Sequence, residues 1–228
     1  MTSIKDDFTK YALSRGIGSL NVDSYAKDLN NIKNRILTPY ILEERSYNVT
    51  SLDLFSKLLY ERILYFNGEV DSESSNITIA QLLYLSSIDD REINIYINSP
   101  GGSVVDGLGI IDTMNYISNP ISTTCIGMAA SMAAVLLSNG DKGKRFILPH
   151  GRVMIHSVAS GFKGHTADIK IEMEQTIRCQ NDVYEILAKN TDKEFSEIEK
   201  LCDRDNWFIG KEAVDLGIVD KVLDKRES

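Results

Sequence analysis

Several features are scarce in this chain of 228 residues. It has four prolines and three cysteines, its formal net charge is −8, and no apolar run approaches the roughly 20 residues needed to span a bilayer. Four prolines and fifteen glycines leave little room for a disordered middle. An acidic chain without a Lys/Arg cluster lacks the basic face with which general nucleic-acid binders neutralise phosphates. We therefore expect a folded protein with no nucleic-acid partner and no membrane span.

The cysteines and the N-terminus bear on the cellular compartment. Cys125, Cys179 and Cys202 are odd in number and have no metal-like spacing, so we expect reduced thiols and no metal site. The first residues, MTSIKDDFTKYALSRG, contain no apolar stretch typical of a secretory signal. A cytoplasmic location is expected.

The chain divides into a polar start and a longer patterned part. Residues 1–36 show no long periodic pattern, and LTPY at 37–40 marks their end. The length suits a single sizeable core. We predict an N-terminal extension or leader over 1–36 and one domain over 37–228.

Strands and helices alternate through the patterned part. SLDLFSKLLYERILYFNG, from residue 51, predicts a helix capped by Thr50 or Ser51 and then a short strand ending at Asn67-Gly68. The next segments predict a helix (SSNITIAQLLYLSSID), a strand (EINIYINSPGG), a helix (SVVDGLGIIDTMNYIS), a strand (ISTTCIG) and a helix (AASMAAVLLSNG). Such alternation predicts an α/β fold with a mostly parallel sheet.

The C-terminal third contains the longest helical pattern, at residues 167–190. Because it outruns a compact sheet, part of it is expected to project towards a partner subunit. Before it, KRFILPHGRVMIHS predicts a hairpin-like pair of strands around Pro149-His150-Gly151. After it, FIGKEAVDLGIVDKVL predicts a short helix around KEAVDLG and the strand IVDKVL.

One hydroxyl, Ser131, stands in the apolar middle of TCIGMAASMAAVLLSNGDKG. At the first turn of a buried helix, unpaired N–H groups and the helix dipole would stabilise a developing oxyanion. The alternative is a helix cap or a small packing residue, which is the commoner use of such a serine. A second motif, NSPGGS, places two glycines after a strand, where bare backbone can point N–H donors at a reacting group or simply make a turn with positive φ.

A nucleophilic serine needs a base, and the chain has three histidines. His156 closes the apolar strand VMIH, a rigid position that suits a general base, or else it is a satisfied histidine at a sheet edge. His150, in a Pro-His-Gly turn, and His165, in a glycine-rich segment, are expected to be solvated. Spacing alone leaves the orienting acid open, since CDRDNW offers both Asp203 and Asp205.

Four ordered motifs together resemble the Clp (caseinolytic) protease family of serine peptidases: INSPGGSV, TCIGMAASMAA, KGKRFILPHGRVMIH and DRDNWFIGKEAVDLGIVDKVL. The resemblance runs from about Leu52 to Leu223. It implies the ClpP/crotonase-like fold, a mostly parallel sheet with flanking helices and a projecting handle helix. It also implies a serine endopeptidase that hydrolyses unfolded proteins to short peptides.

The resemblance assigns roles residue by residue. Ser131 matches the family's nucleophile, His156 its base and Asp205 its acid. The oxyanion donors fall on the backbone N–H groups of Gly102 and Met132. Positions that match the family's docking pockets for its partner are Tyr96, Tyr116, Phe146, Leu148 and Leu223, although such residues on strands are more often simply core.

The resemblance also implies partners. The chain itself has no phosphate-binding P-loop, so ATP would be used by a separate AAA+ unfoldase of the ClpX, ClpA or ClpC type, and no cofactor is expected in this chain. Two stacked seven-membered rings, a tetradecamer with internal active sites, are implied. The segment 157–165 departs from the family, since Ser157–Gly161 stand where Gln-Pro and a Gly-Gly pair are usual and Phe162–His165 replace a small Gln-containing stretch.

Two other functions compete with a peptidase. An acyl-CoA enzyme of the crotonase fold also holds an oxyanion with paired backbone donors, but it needs no serine–histidine pair. A non-catalytic ring subunit would typically lose one member of the triad, and here all three are present.

Overall fold

The computed structural model describes residues 40–45 and 48–225 of the chain. They fall into two units, divided between Leu54 and Phe55. In the first unit, strands β1 (Tyr40–Arg45) and β2 (Asn48–Asp53) pair antiparallel. The predicted extension over 1–36, and its boundary, lie outside the described residues.

From residue 54 onward helices and strands alternate, which confirms the α/β class predicted from the sequence. The elements in chain order are α1 (Leu54–Tyr60), β3 (Ile63–Val70), α2 (Ser72–Ile88), β4 (Ile93–Gly102), α3 (Val104–Tyr116), β5 (Ile121–Ala130), α4 (Met132–Ser138), β6 (Arg145–Ile147), β7 (Arg152–Ile155), α5 (Thr166–Thr191), α6 (Phe195–Leu201), β8 (Asn206–Ile209), α7 (Lys211–Leu216) and β9 (Lys221–Val222).

The main sheet is mostly parallel. Its strands follow the order β3-β4-β5-β6-β9, and β7 joins beside the second half of β5. Strand β6 pairs with Thr123–Cys125 and β7 with Met128–Ala130, both parallel to β5. Strand β8 runs antiparallel to β7. The ends of β5 and β7 therefore lie side by side at one edge of the sheet.

The alternation of isoleucine with other residues in the sequence matches the alternation of buried and partly exposed side chains in strand β4. In β4, Ile93, Ile95 and Ile97 are buried while the residues between them are partly exposed, as a period of two requires. Helices α2, α3 and α4 pack on this sheet through their apolar faces. The fully buried core includes Leu82, Leu85, Ile93, Ile97, Ile110, Ile111, Leu137 and Ile147.

The hairpin predicted around Pro149-His150-Gly151 is wrong. Strands β6 and β7 both run parallel to β5 and do not pair with each other. The backbone N–H of Leu148 donates to the carbonyl of Cys125, so the chain stays on β5 while it passes through the turn. A Pro-His-Gly sequence predicts a bend, but it does not fix whether the chain reverses.

The helix predicted from residue 51 is also displaced. Thr50 and Ser51 belong to β2 instead of capping a helix, and Ile63 begins β3. Backbone pairing with β1 outweighs a helical spacing of apolar residues that covers only a few turns. At the C-terminal end, the helix around KEAVDLG is confirmed as α7, whereas the predicted strand IVDKVL is observed only at Lys221–Val222.

The longest helix matches its prediction and extends it by one residue at each end. In the C-terminal half of α5, Tyr184 and Leu187 are buried against the core. In the N-terminal half, Ile171, Met173 and Ile177 are exposed. The C-terminal half of α5 therefore covers the core, and these three side chains are not covered by the residues that the structure describes.

Candidate active site

Ser131 occupies a turn between strand β5 and helix α4. Its backbone has φ 54° and ψ −126°, a conformation that costs a residue with a side chain about 1–3 kcal/mol. The side chain makes no capping hydrogen bond to the helix. Ser131 therefore occupies the N-cap position of α4, as the alternative interpretation expected, but its hydroxyl does not cap the helix.

The hydroxyl meets His156. The Oγ atom of Ser131 lies 2.8 Å from Nε2 of His156, 25 residues further along the chain. His156 directly follows β7, which is paired with the end of β5 that leads into Ser131. For the pair to act as nucleophile and base, Nε2 accepts the hydroxyl proton and Nδ1 carries hydrogen.

The other ring nitrogen of His156 faces a carboxylate. Nδ1 lies 3.3 Å from Oδ1 of Asp205. The antiparallel register pairs Ile155 with Asn206, so the residues next to them, His156 and Asp205, come to face each other at the end of the ladder. The imidazole side chain is 25% exposed and the carboxylate 67%. Catalytic hydrogen bonds are often long before substrate binds.

The two glycines of NSPGGS pack against the turn at Ser131 and against strand β3. A Cβ atom on Gly101 would lie 2.4 Å from the carbonyl oxygen of Ala130 and 2.7 Å from Cβ of Ser131. A Cβ atom on Gly102 would lie 2.3 Å from the carbonyl oxygen of Val70. Both glycines have positive φ, at 87° and 154°. Only residues without a side chain fit this close approach.

A small cavity of about 140 Å³ lies at this junction. Gly102 and Met132, the predicted oxyanion donors, line it together with Ser131 and His156. Its remaining walls are largely apolar and comprise Val104, Val135, Ile155, Ser157, Val158, Ala159, Val183 and Leu187. The structure therefore brings the predicted nucleophile, base and donor positions to one cavity.

The other titratable candidates lie elsewhere. His150 and His165 are exposed, as expected. Asp203 is exposed and lies near Arg204. Burial raises the pKa of Cys125 and of Cys202 to about 12, so both thiols stay protonated at neutral pH and are poor nucleophiles. Among the described residues, no group of three or more His, Cys, Asp or Glu is arranged to hold a metal ion.

Two of the five predicted docking residues lie on strands of the main sheet, and two more directly follow strands of that sheet. Tyr96 of β4 and Phe146 of β6 are in register on either side of Thr124. Leu148 and Leu223 follow β6 and β9, and the Leu223 N–H donates to the carbonyl of Ile147. Tyr116 lies apart from the sheet, at the end of α3, and is 83% exposed.

Sequence analysis missed two side chains near the site. Ser99 is fully buried, and its Oγ accepts a hydrogen bond of 3.1 Å from the N–H of Gly101, which fixes the glycine turn. Gln180 on α5 accepts a hydrogen bond from the N–H of Val158 in the cavity wall. Ser99 belongs to the NSPGGS motif, which was a signal that could have identified it. Nothing in the sequence around Gln180 indicates a role near the site.

Comparison with known proteins agrees with this geometry. A family model described as Clp protease matches residues 44–226. The chain belongs to the Clp protease family. The match favours this family over the acyl-CoA enzymes of the crotonase fold, which pair backbone donors without a serine and a histidine.

Curated relatives resemble the chain along almost its whole length. The ATP-dependent Clp protease proteolytic subunit of Bacteroides thetaiotaomicron is 46% identical over 223 residues, which cover 97% of this chain and 100% of that protein. The protein of the same name from Porphyromonas gingivalis is 43% identical over 222 residues, covering 96% and 98%. One from Bacteroides fragilis is 49% identical over 191 residues, covering 83% and 92%. The Clp protease resemblance stated from four motifs is thereby confirmed.

Proposed function

We propose that this chain is a serine endopeptidase subunit of a Clp protease, with Ser131 as nucleophile, His156 as general base and Asp205 as the group that orients the base. The observation that carries the proposal is the distance of 2.8 Å between Ser131 Oγ and His156 Nε2, with Asp205 on the far side of the ring. Membership of the Clp protease family supports it independently.

The geometry suits acyl transfer from a peptide. Oγ of Ser131 would attack the scissile carbonyl carbon while His156 Nε2 takes the hydroxyl proton. The tetrahedral intermediate would then expel the amine, which receives that proton from His156, and leave an acyl-enzyme. Water, deprotonated by His156, would hydrolyse the ester and restore the hydroxyl. Asp205 would hold the tautomer with hydrogen on Nδ1 and stabilise the imidazolium.

The oxyanion would be held by backbone donors. Gly102 and Met132 belong to different elements, a strand end and a helix start, and both line the cavity beside Ser131. Each donor of this kind is worth about 3 kcal/mol of transition-state stabilisation in other enzymes. A substrate that fills this cavity would displace water from it, which would strengthen these interactions.

Substrate chemistry follows from the cavity. Its apolar walls suit an apolar side chain, and the bare backbone at Gly101-Gly102 suits an extended peptide that approaches closely. A folded domain does not present such a strand. We therefore propose unfolded polypeptides as substrates, supplied by an AAA+ unfoldase that uses ATP, because the relatives are named ATP-dependent and this chain has no P-loop.

Assembly and docking belong to the same proposal. The exposed apolar side chains Ile171, Met173 and Ile177 on α5 would meet a second copy, in the manner of two stacked seven-membered rings. The strand surface that bears Tyr96, Phe146, Leu148 and Leu223, with Tyr116 on α3, would receive the unfoldase.

The location is a separate point. No helix among residues 40–45 and 48–225 is long and apolar enough to cross a membrane. The cytoplasmic location expected from the sequence stays a prediction, which cell fractionation checks.

Peptide hydrolysis tests the proposal. The full chain should cleave a short fluorogenic peptide with an apolar residue before the scissile bond, and Ser131→Ala should lower kcat by roughly four or more orders of magnitude. Ser196→Ala, an exposed serine on α6, is the matched control and should keep wild-type turnover. Equal turnover by Ser131→Ala and the wild type would refute the assignment.

A further inference from the structure

The segment 157–164 joins the proposed base to helix α5 without regular secondary structure. Its first residues, Ser157, Val158 and Ala159, form one wall of the cavity beside Ser131 and His156. Its later residues, from Ser160 onward, are exposed. One wall of the proposed substrate site is thus built from a segment that is not itself part of a strand or helix.

Two hydrogen bonds tie this segment to α5. The backbone N–H of Val158 donates to Oε1 of Gln180 at 3.3 Å. The hydroxyl of Thr176 lies 3.5 Å from that of Ser160, at the limit of a hydrogen bond. Thr176 and Gln180 are one helical turn apart and both are half-buried, so one face of the helix holds the segment.

Gln180 is itself well anchored. Three residues further along α5, Val183 is buried in the cavity wall, and Leu187 follows one turn later. Ile155 and Met132, which also line the cavity, belong to the core. The cavity is therefore lined in part by core residues and in part, at Val158, by a residue whose backbone is hydrogen-bonded to a side-chain amide.

We infer that Gln180 is a positioning residue that sets the Val158 wall of the substrate cavity, and through it the binding of the peptide residue that occupies the cavity. The inference rests on the proposed peptidase function. Without the Oε1 acceptor, the segment samples more conformations, and binding must order it again. Ser131 and His156 directly follow β5 and β7, whose pairing sets their positions, so we expect the chemical step to be left intact.

Matched variants separate this role from general damage to the helix. Gln180→Met keeps the length of the side chain and removes the acceptor, whereas Gln180→Glu keeps an acceptor for the Val158 N–H. Asn181→Leu removes an exposed amide at the next position and is the control. Light scattering and thermal unfolding of all three establish that assembly and fold are retained.

The first measurement is amide hydrogen exchange over residues 156–160, which needs no activity. We expect exchange at Val158 to become about fivefold faster in Gln180→Met, since one hydrogen bond of ordinary strength is lost. Gln180→Glu and Asn181→Leu should exchange within about twofold of the wild type. Equal exchange in Gln180→Met and the wild type would overturn the positioning role.

The second measurement is steady-state hydrolysis of peptides that differ in the size of the apolar residue before the scissile bond. Gln180→Met should raise KM about fivefold for the peptide that the wild type prefers while kcat changes less than about twofold, and Gln180→Glu should restore KM. If Gln180→Met lowered kcat as much as it raised KM, or if Gln180→Glu did not restore KM, Gln180 would have a merely structural role and the inference would be overturned. A wild type that cleaves no peptide would contradict the proposed function instead, and the exchange data decide the positioning role by themselves.

Discussion

The backbone N–H of Ser131 donates to the carbonyl oxygen of Met154 at 2.8 Å. This single bond continues the parallel ladder of β5 and β7 by one step, past Ala130 paired with Met154. It ties the turn at Ser131 to Met154, which lies two residues before His156. The distance between the hydroxyl and the imidazole is therefore set by backbone pairing and does not depend on a flexible loop.

The orienting carboxylate is predicted to be Asp205. Asp205→Asn should lower kcat for peptide hydrolysis by roughly 10³ to 10⁴, because an amide at this position favours the wrong imidazole tautomer. Asp203→Asn is the matched control, since Asp203 is exposed and is not opposite His156 in the ladder. The check is kcat for both variants across pH 6 to 9. A larger loss in Asp203→Asn would identify the wrong acid.

The strained backbone at Ser131 has a measurable cost. Ser131→Gly should be more stable than Ser131→Ala by about 1–2 kcal/mol, because φ 54° and ψ −126° are open to glycine and costly for alanine. Both variants lack the hydroxyl and should be inactive. Urea unfolding at one protein concentration measures the difference. Equal unfolding midpoints for Ser131→Gly and Ser131→Ala would contradict the prediction that this backbone conformation is costly for alanine.

Assembly is predicted to run through the exposed half of α5. Ile177→Asp places a charge one turn from Met173, on the same exposed apolar face of α5, and should reduce both the mass seen by light scattering and the peptidase activity. Activity falls because α5 leads from the segment that lines the cavity. Glu185→Ala, exposed on the other half of the helix, should leave both unchanged. A monodisperse monomer with full activity would refute this coupling.

The ion pair between Arg145 and Asp220 should make the stability of the folded protein depend on pH in the acid range. Burial would raise the pKa of Asp220, but hydrogen bonds from the Arg145 side chain and backbone and from the Gly143 N–H outweigh it, so the pKa is lowered overall. A carboxyl whose pKa is lower in the folded state stabilises that state at pH values above the unfolded pKa of about 3.9. This stabilisation is lost as the pH falls through the folded-state pKa.

Asp220→Asn should therefore destabilise the chain by roughly 2–3 kcal/mol at pH 7, since it leaves the guanidinium of Arg145, 5% exposed, without its charge partner. The difference from the wild type should shrink below about pH 4. Denaturant unfolding between pH 3 and pH 7 measures it. Asp192→Asn, which removes the exposed partner of Lys142, is the control and should change little. A difference that is constant with pH would contradict the account of Asp220.

The parts of the candidate site that lie at the ends of single strands could be predicted from local patterns in the sequence. The Gly101-Gly102 turn ends β4, whose alternation is strong, and Ser131 follows β5, which is buried over most of its length and leads into an apolar helix. Their positions followed from these patterns. Family resemblance was needed to prefer Asp205 over Asp203, because β8 has four residues and its pairing with β7 is not visible in composition. The bond from Val158 to Gln180 joins positions 22 residues apart, and no periodicity marks such a contact.

The central claim is that the hydroxyl of Ser131 is a nucleophile activated by His156, and covalent labelling tests it most directly. The assembled wild type, incubated with a serine-directed fluorophosphonate probe, should carry one adduct per chain on the peptide that contains Ser131. His156→Ala should slow the labelling by orders of magnitude, and Ser131→Ala should abolish it. An unlabelled wild type, as a non-catalytic ring subunit would give, or undiminished labelling of Ser131→Ala, would contradict the account.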